Sequence, residues 1–213
     1  MLWLNELDGI HYGLLEVEDV AEMAQVIGQV FSRSDPLGVA IGMTEEELES
    51  FVLVFGNKAV AEGLTIIARN HSGELVGAMF TDDFGTPLPE IENLPASFAP
   101  VGALLERLDE EYLHTQTIVE GSHAHLNMLA VLPTLAGRGI AQNLVKLCLE
   151  NAAKRGYRFA VTEANGPISQ HIFRKLGFRE LFMVSYKDFR FDNRPVFASI
   201  ESTQGIMLME ANL

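Results

Sequence analysis

The 213-residue chain has a single cysteine, Cys148, which rules out a disulfide framework and a Cys-based zinc site. It lacks an apolar run of the roughly 18 residues that a membrane-spanning helix needs. Its first ten residues carry Glu6 and Asp8 and no basic residue, so they are not expected to act as a secretory leader. Basic residues are scarce in much of the chain. Residues 1–130 contain only Arg33, Lys58, Arg69 and Arg107, against 22 acids. That scarcity removes the clustered basic surface that nucleic-acid binding requires. There is no internal repeat, low-complexity tract or flexible linker. At 48% hydrophobic residues the chain is not disordered, and it is long enough for one large domain with a real core. A reducing, cytoplasmic setting is expected.

Charge is present, but unevenly. The whole chain carries a formal charge of -14. Residues 131–213 hold 11 basic and 7 acidic residues, so this part alone is net positive. One part of the molecule should repel anions, while the other can receive one. The acidic balance is compatible with a basic amine substrate.

Periodicity then orders the chain. Ile10 to Val17 reads as a strand. Asp19 precedes Val20, Met23, Ala24, Ile27 and Phe31 at helical spacing, with Asp19 as the expected N-cap. Thr44-Glu45-Glu46-Glu47 is a capping box for a helix to Glu62, which Gly63 stops. Leu64–Arg69 and Leu75–Thr81 are strands joined as a hairpin. Residues 82–121 look inserted: prolines break the early part, and Val101–Leu113 is helical and acidic. His123–Leu132 is a strand and Gly137–Arg155 a helix. Phe159–Thr162 is a strand and Ile168–Leu176 a helix. Phe178–Tyr186, Pro195–Ile200 and Ile206–Glu210 are further strands. Interleaved strands and helices point to one α/β domain with a mixed sheet.

The stretch Leu129-Ala130-Val131-Leu132-Pro133-Thr134-Leu135-Ala136-Gly137-Arg138-Gly139-Ile140-Ala141 carries the chemistry. An apolar strand enters a Gly-rich turn that opens a long helix. Glycines allow close backbone approach, and a helix N-terminus favours an anion, so the turn suits a phosphate or pyrophosphate. An ordinary tight turn is the alternative reading. Downstream, Phe173-Arg174-Lys175-Leu176-Gly177-Phe178 ends a short helix and begins a strand.

These two segments together resemble the GNAT superfamily of acetyl-CoA-dependent N-acetyltransferases. The family pattern is Arg/Gln-x-x-Gly-x-Gly/Ala after Val-x-Pro, and Tyr-x-Lys-Leu-Gly-Phe later. Gly139 and Ala141 match, Ala136 stands where Arg or Gln is usual, and Phe173 replaces the Tyr. The resemblance implies one α/β domain with a mixed sheet of about seven strands. The sheet would splay at the cofactor, with helices on its faces and a helical insertion at 82–121. It implies acetyl-CoA in the splay, lined by Leu129, Ala130 and Val131, with the backbone of Leu129 and Val131 hydrogen-bonding pantetheine. The pyrophosphate would rest on Gly137, Arg138, Gly139, Ile140 and Ala141. Asn165, Ser169 and Phe173 would flank the CoA arm, and no metal is expected.

Within the superfamily the chain resembles the insect arylalkylamine N-acetyltransferases, the dopamine-type branch. Phe31-Ser32-Arg33-Ser34-Asp35-Pro36-Leu37 is similar to their Phe…Glu-Pro-Leu segment, and Ser169-Gln170-His171-Ile172-Phe173 to their Ser-x-Arg-Val. In that branch the Glu is the general base and two serines four apart assist. The resemblance places Asp35 at the base and Asn165 and Ser169 at the serine positions. The alternative for Asp35-Pro36 is a plain turn, and for Ser169 a helix cap. Amine acetylation needs a group that removes the ammonium proton. His125, on one alternating face with His123, Asn127 and Leu129, is a second candidate base; Ser169 is a candidate proton donor to the leaving thiolate. Met79, Phe80, Met128 and Phe182 are core or acceptor-pocket residues. The expected function is acetyl transfer to a primary amine of a small molecule, directly in a ternary complex. A protein N-terminal or lysine acetyltransferase, or a non-catalytic acyl-CoA-binding module, are the alternatives. Expected partners are acetyl-CoA and a small amine, with no nucleic acid and no membrane, in a monomer or homodimer.

Overall fold

In a computed structural model that describes residues 3–90 and 94–213, the sheet begins one strand earlier than the periodicity suggests. Residues 91–93 of the inserted segment, and residues 1–2, lie outside the described residues. Strand β1 (Trp3–Leu7) pairs antiparallel with β2 (Ile10–Leu14). Between them Asp8 and Gly9 have φ of 50° and 74°. Two positive φ values define a two-residue hairpin turn whose twist suits the strands, and Asp-Gly is its usual sequence. The remaining strands are β3 (Ile66–Asn70), β4 (Leu75–Asp83), β5 (His123–Val131), β6 (Phe159–Ala164), β7 (Arg179–Ser185) and β8 (Gly205–Asn212). They form one sheet in the order β1-β2-β3-β4-β5-β6-β8-β7. The β5–β6 pair is parallel and the others are antiparallel.

Pro195–Ile200, expected as a strand, is a turn. Phe197 is fully buried there, stacked on Phe189 and tilted against Tyr186. A short apolar run cannot be assigned by periodicity alone, and here the side chains are buried by turning rather than by pairing.

Helices cover both faces. Among the described residues the α-helices are α1 (Val20–Ser34), α2 (Pro36–Ile41), α3 (Glu45–Glu62), α4 (Ala99–Leu113), α5 (Ile140–Lys154) and α6 (Pro167–Lys175). One core joins α5 and α6 to the sheet through Leu144, Val145, Cys148, Ile172 and Phe173. A second joins α1 and α3 to Ile67, Ala78, Phe80, Met128 and Ala130. A third packs α4, through Leu104, Leu108 and Tyr112, onto Val161, Leu208 and Phe197. The single α/β domain with a mixed sheet flanked by helices therefore stands, with eight strands among the described residues rather than about seven.

Local chemistry explains the helix ends. Thr44 Oγ1 accepts from the Glu47 N–H at 3.1 Å, and Glu47 Oε2 accepts from the Thr44 N–H at 2.9 Å. Asp19 is the N-cap residue of α1, as expected, but its side chain makes no cap hydrogen bond. Its buried carboxylate instead pairs with Arg69 at 2.7 Å and accepts from the Glu16 N–H. A carboxylate that can reach a guanidinium gains more from that charge than from a neutral N–H. Helix α2, absent from the sequence reading, is capped by Asp35, whose Oδ1 accepts from the Gly38 N–H at 2.8 Å.

Two irregularities shape the middle of the sheet. Strands β5 and β6 pair only at His123↔Phe159, Ala124↔Ala160 and His125↔Val161, and then part. At the parting point the Thr162 hydroxyl donates to the Leu126 carbonyl at 2.8 Å. Against β4, Phe80 faces Met128 while Thr81 faces Leu126, so Asn127 is an extra, bulged residue. A bulge reverses which face later residues occupy. Ala124 and Leu126 accordingly belong to the α5 core, whereas Met128 and Ala130 belong to the α1–α3 core. The expected single face of His123, His125, Asn127 and Leu129 is broken at that point.

Candidate active site

The parting of β5 from β6 opens a cavity of about 750 Å³. It runs from the turn before α5, past Leu129 and Val131, to the α1–α2 junction at Phe31, Asp35 and Pro36. Ten of the residues singled out from the sequence line it: Asp35, Leu129, Val131, Gly137, Gly139, Ile140, Ala141, Asn165, Ser169 and Phe173. Three do not. Ala130 is buried in the α1–α3 core. The Arg138 guanidinium donates to the Asp8 carbonyl at 3.1 Å, on an exposed surface. His125 stands outside the lining. Of the proposed pocket apolars, only Met79 lines the cavity; Phe80 and Met128 are core, and Phe182 sits by a separate depression with Arg107.

At one end the walls are backbone. Gly137 and Gly139 both have φ of 78°, a conformation that residues with a Cβ rarely adopt. A Cβ at either position would meet nothing within 4 Å, so the turn leaves open space above it. Gly139 is the N-cap of α5 and brings no side chain to its first turn. The early N–H groups of a helix need partners, and here no side chain cap supplies one. Backbone donors plus the positive end of a 15-residue helix fit an anionic diphosphate group. The neighbouring β5 segment Asn127–Val131 has no β6 partner, so its backbone edge is open toward the splay.

At the other end the walls are side chains. Asp35 Oδ2 accepts from Asn165 Nδ2, across 130 residues of sequence. Burial pushes the Asp35 carboxyl up to about 6, and the Gly38 and Asn165 donors only partly offset it. Ser169 Oγ accepts from the Gly166 N–H and donates to the Gly166 carbonyl at 3.0 Å, closing the first turn of α6. Phe173 is buried against Phe178 in an edge-to-face contact.

His125 is held differently from a free base. Its Nε2 lies 2.7 Å from Glu163 Oε2 and its Nδ1 3.3 Å from Asp82 Oδ1. Burial opposes its charge, but Glu163 and then Asp82 raise its pKa well above the ordinary histidine value. Both ring nitrogens face carboxylate oxygens, so the surroundings favour the protonated ring over one that takes up a proton. Asp82 also pairs with Lys58 at 2.8 Å, and Lys58 with Glu62 at 3.0 Å. The result is an alternating chain of buried charges, Glu62–Lys58–Asp82–His125–Glu163, that ends at the cavity wall. Asp109 of α4 is raised to about 7 by burial and by the Glu163 charge.

Ser34, Pro36 and Asn127, to which the sequence reading gave no site role, also line the cavity, as does Glu163. Asn127 depends on the bulge, for which no local pattern exists. Among the described residues, no group of His, Cys, Asp and Glu could hold a metal ion, and no helix is long and apolar enough to cross a membrane.

Residues 39–178 match the Acetyltransferase (GNAT) family, well over half of the chain. Solved structures share the fold. The C-terminal condensation domain of Ebony, in complex with beta-alanyl-dopamine, superposes with a TM-score of 0.86 at 14% identity, covering 96% of this chain and 99% of that one. Arylalkylamine N-acetyltransferase 2 from Aedes aegypti gives 0.81 at 20% identity, with coverage of 96% and 99%. The Drosophila melanogaster polyamine N-acetyltransferase, which catalyses the formation of N-acetylagmatine, gives 0.73 at 15% identity, with coverage of 96% and 100%.

Proposed function

The chain belongs to the GNAT acetyltransferase family, and from that premise we propose that it transfers the acetyl group of acetyl-CoA directly to a primary amine of a small molecule. The observation that carries this is the single cavity with two unlike ends: uncapped helix N–H groups at one, and a carboxylate poised near neutral pH at the other. Acetyl-CoA, when bound, supplies an acetyl thioester. The Gly137–Ala141 backbone would hold its diphosphate, and the open edge of Leu129–Val131 its pantetheine arm. A backbone N–H on that edge would stabilise the charge that develops on the thioester oxygen.

The acceptor amine arrives as an ammonium and must lose a proton before it attacks. Asp35 is the group suited to take it. A carboxyl near 6 is ionised at neutral pH, yet basic enough to receive a proton from an amine in the course of attack. His125 is less suited, because its two carboxylate neighbours hold the ring and favour its protonated form. Its part is to hold the Glu163 side chain in place at the cavity wall. Ser169 lines the same cavity, and its hydroxyl is the candidate proton source for the departing thiolate. Arylalkylamines and polyamines, the acceptors named for structures of the same fold, are the first to try. We place the enzyme in the cytoplasm, as a monomer or homodimer.

The test is thiol release from acetyl-CoA over a panel of aryl, alkyl and polyamine acceptors. Turnover with at least one small amine is expected. Acetyl-CoA binding with acetylation of peptide N-termini or lysines alone would replace the small acceptor with a protein, and no acetyl-CoA binding would refute the reading.

A further inference from the structure

We propose that Asn165, itself fastened by Tyr186, is a positioning residue that holds the Asp35 carboxylate in the orientation in which it accepts a proton. This rests on the reading of Asp35 as proton acceptor and adds a residue that controls it.

Asp35 is tied to its own helix by backbone donors, the Gly38 N–H on Oδ1 at 2.8 Å and the N–H of Leu37. Donors on α2 hold the carboxyl to that helix alone. Asn165 Nδ2 donates to Oδ2 from a different element, so the carboxyl is held from both sides. The two residues sit on different elements: Asp35 enters α2, and Asn165 leaves β6 for α6. Both sides of the contact are pinned. Pro36 fixes the backbone just after Asp35, and a Cβ at Gly166 would lie only 3.3 Å from Pro36 Cγ, so the two loops are packed against each other. On the far side, the Tyr186 hydroxyl donates to the Asn165 carbonyl at 2.6 Å. Tyr186 is 1% exposed and is held among Leu37, Phe189 and Phe197. Its position is set by the core, and it passes that position to the Asn165 backbone.

The chemistry gives this contact a direction. An amide N–H donates to a carboxylate better than to a carboxylic acid, so it favours the ionised form that a base requires. Burial pulls the other way. Asn165 thus keeps Asp35 ionised in a place that would otherwise protonate it. An amide cannot act as an acid itself, which leaves orientation and charge stabilisation as its contribution.

The experiment follows the Asp35 carboxyl by carbon-13 NMR titration, with its resonance identified by its absence in Asp35→Asn. The pH dependence of kcat/KM is measured alongside. In Asn165→Ala, losing a hydrogen bond to a charged group should raise the Asp35 midpoint by about one pH unit, and the acid limb of kcat/KM should move with it. Tyr186→Phe keeps the ring and its packing and should move both in the same direction by less. Asn165→Ser, which keeps a donor, should return the midpoint toward that of the wild type. If Asn165→Ala does not fold, Tyr186→Phe decides. An Asp35 midpoint that is the same as in wild type in Asn165→Ala, or in Tyr186→Phe where the former does not fold, overturns the proposal, even where Asp35→Asn abolishes the acid limb and the base assignment survives. An acid limb that persists in Asp35→Asn overturns the base assignment and this proposal with it.

Discussion

The two ends of the cavity are built from different materials. The α5 end is made of backbone: Gly137, Gly139 and the first turn of a helix with no side-chain cap. The α1–α2 end is made of side chains: Asp35 held by Asn165, with Glu163 held by His125 nearby. Backbone donors are present whatever the side chains are, so this end tolerates Ala136 in place of the usual Arg or Gln. The side-chain end has no such redundancy, since each carboxylate depends on one or two named partners. The anion site should therefore yield little to single side-chain changes, and the amine site should yield a great deal.

The strongest break in this contrast is Asp35→Asn. It should lower kcat/KM near neutral pH by about 10²–10⁴-fold, the usual worth of a general base. Acetyl-CoA affinity, read by calorimetry, should change far less. Next is His125→Leu. It leaves Glu163 and Asp82 buried without their shared partner, which should cost about 3–5 kcal/mol in urea unfolding. A smaller effect is expected at the backbone end. Gly139→Val puts a side chain into the open space above the turn and strains the left-handed backbone by about 1–2 kcal/mol, so acetyl-CoA should bind roughly 5–30-fold more weakly. The smallest belongs to Arg138→Ala. Its guanidinium is exposed and turned to the Asp8 carbonyl, so acetyl-CoA affinity should shift by about twofold or less. A large loss in Arg138→Ala would mean that side-chain charge, not backbone, makes the anion site.

The same difference decides what could be read in advance. The Gly turn, the capping box at Thr44–Glu47 and the Leu-Gly-Phe ending are local patterns, so the α5 end and most helices were legible. Asp8-Gly9 is likewise a local turn signal, and it marks the hairpin between β1 and β2. The amine end depends on contacts across long stretches of sequence. Asp35 meets Asn165 across 130 residues, and His125 meets Glu163 across 38. No periodicity reports such pairs. The bulge at Asn127 is equally silent in sequence, and it turned a correct alternation into a wrong face for the residues beyond it. His125 illustrates the consequence: its residue type suits a base, but its two carboxylate neighbours favour its protonated form.

The uneven charge also becomes specific. The net positive part of the chain holds the Gly turn, whose backbone is the proposed seat of the anion. Arg138, the cation next to that turn, faces elsewhere. The acidic part supplies Asp35 and Asp82, and the basic part supplies Glu163, so the amine end draws on both.

The most direct test is the pH dependence of kcat/KM for an accepted amine, in wild type and in Asp35→Asn. The base must be ionised, so activity should rise about tenfold per pH unit below an inflection at about 6 and level off above it. In Asp35→Asn that inflection should be absent. A wild-type profile with no inflection near 6, or the same inflection in Asp35→Asn, would contradict the account.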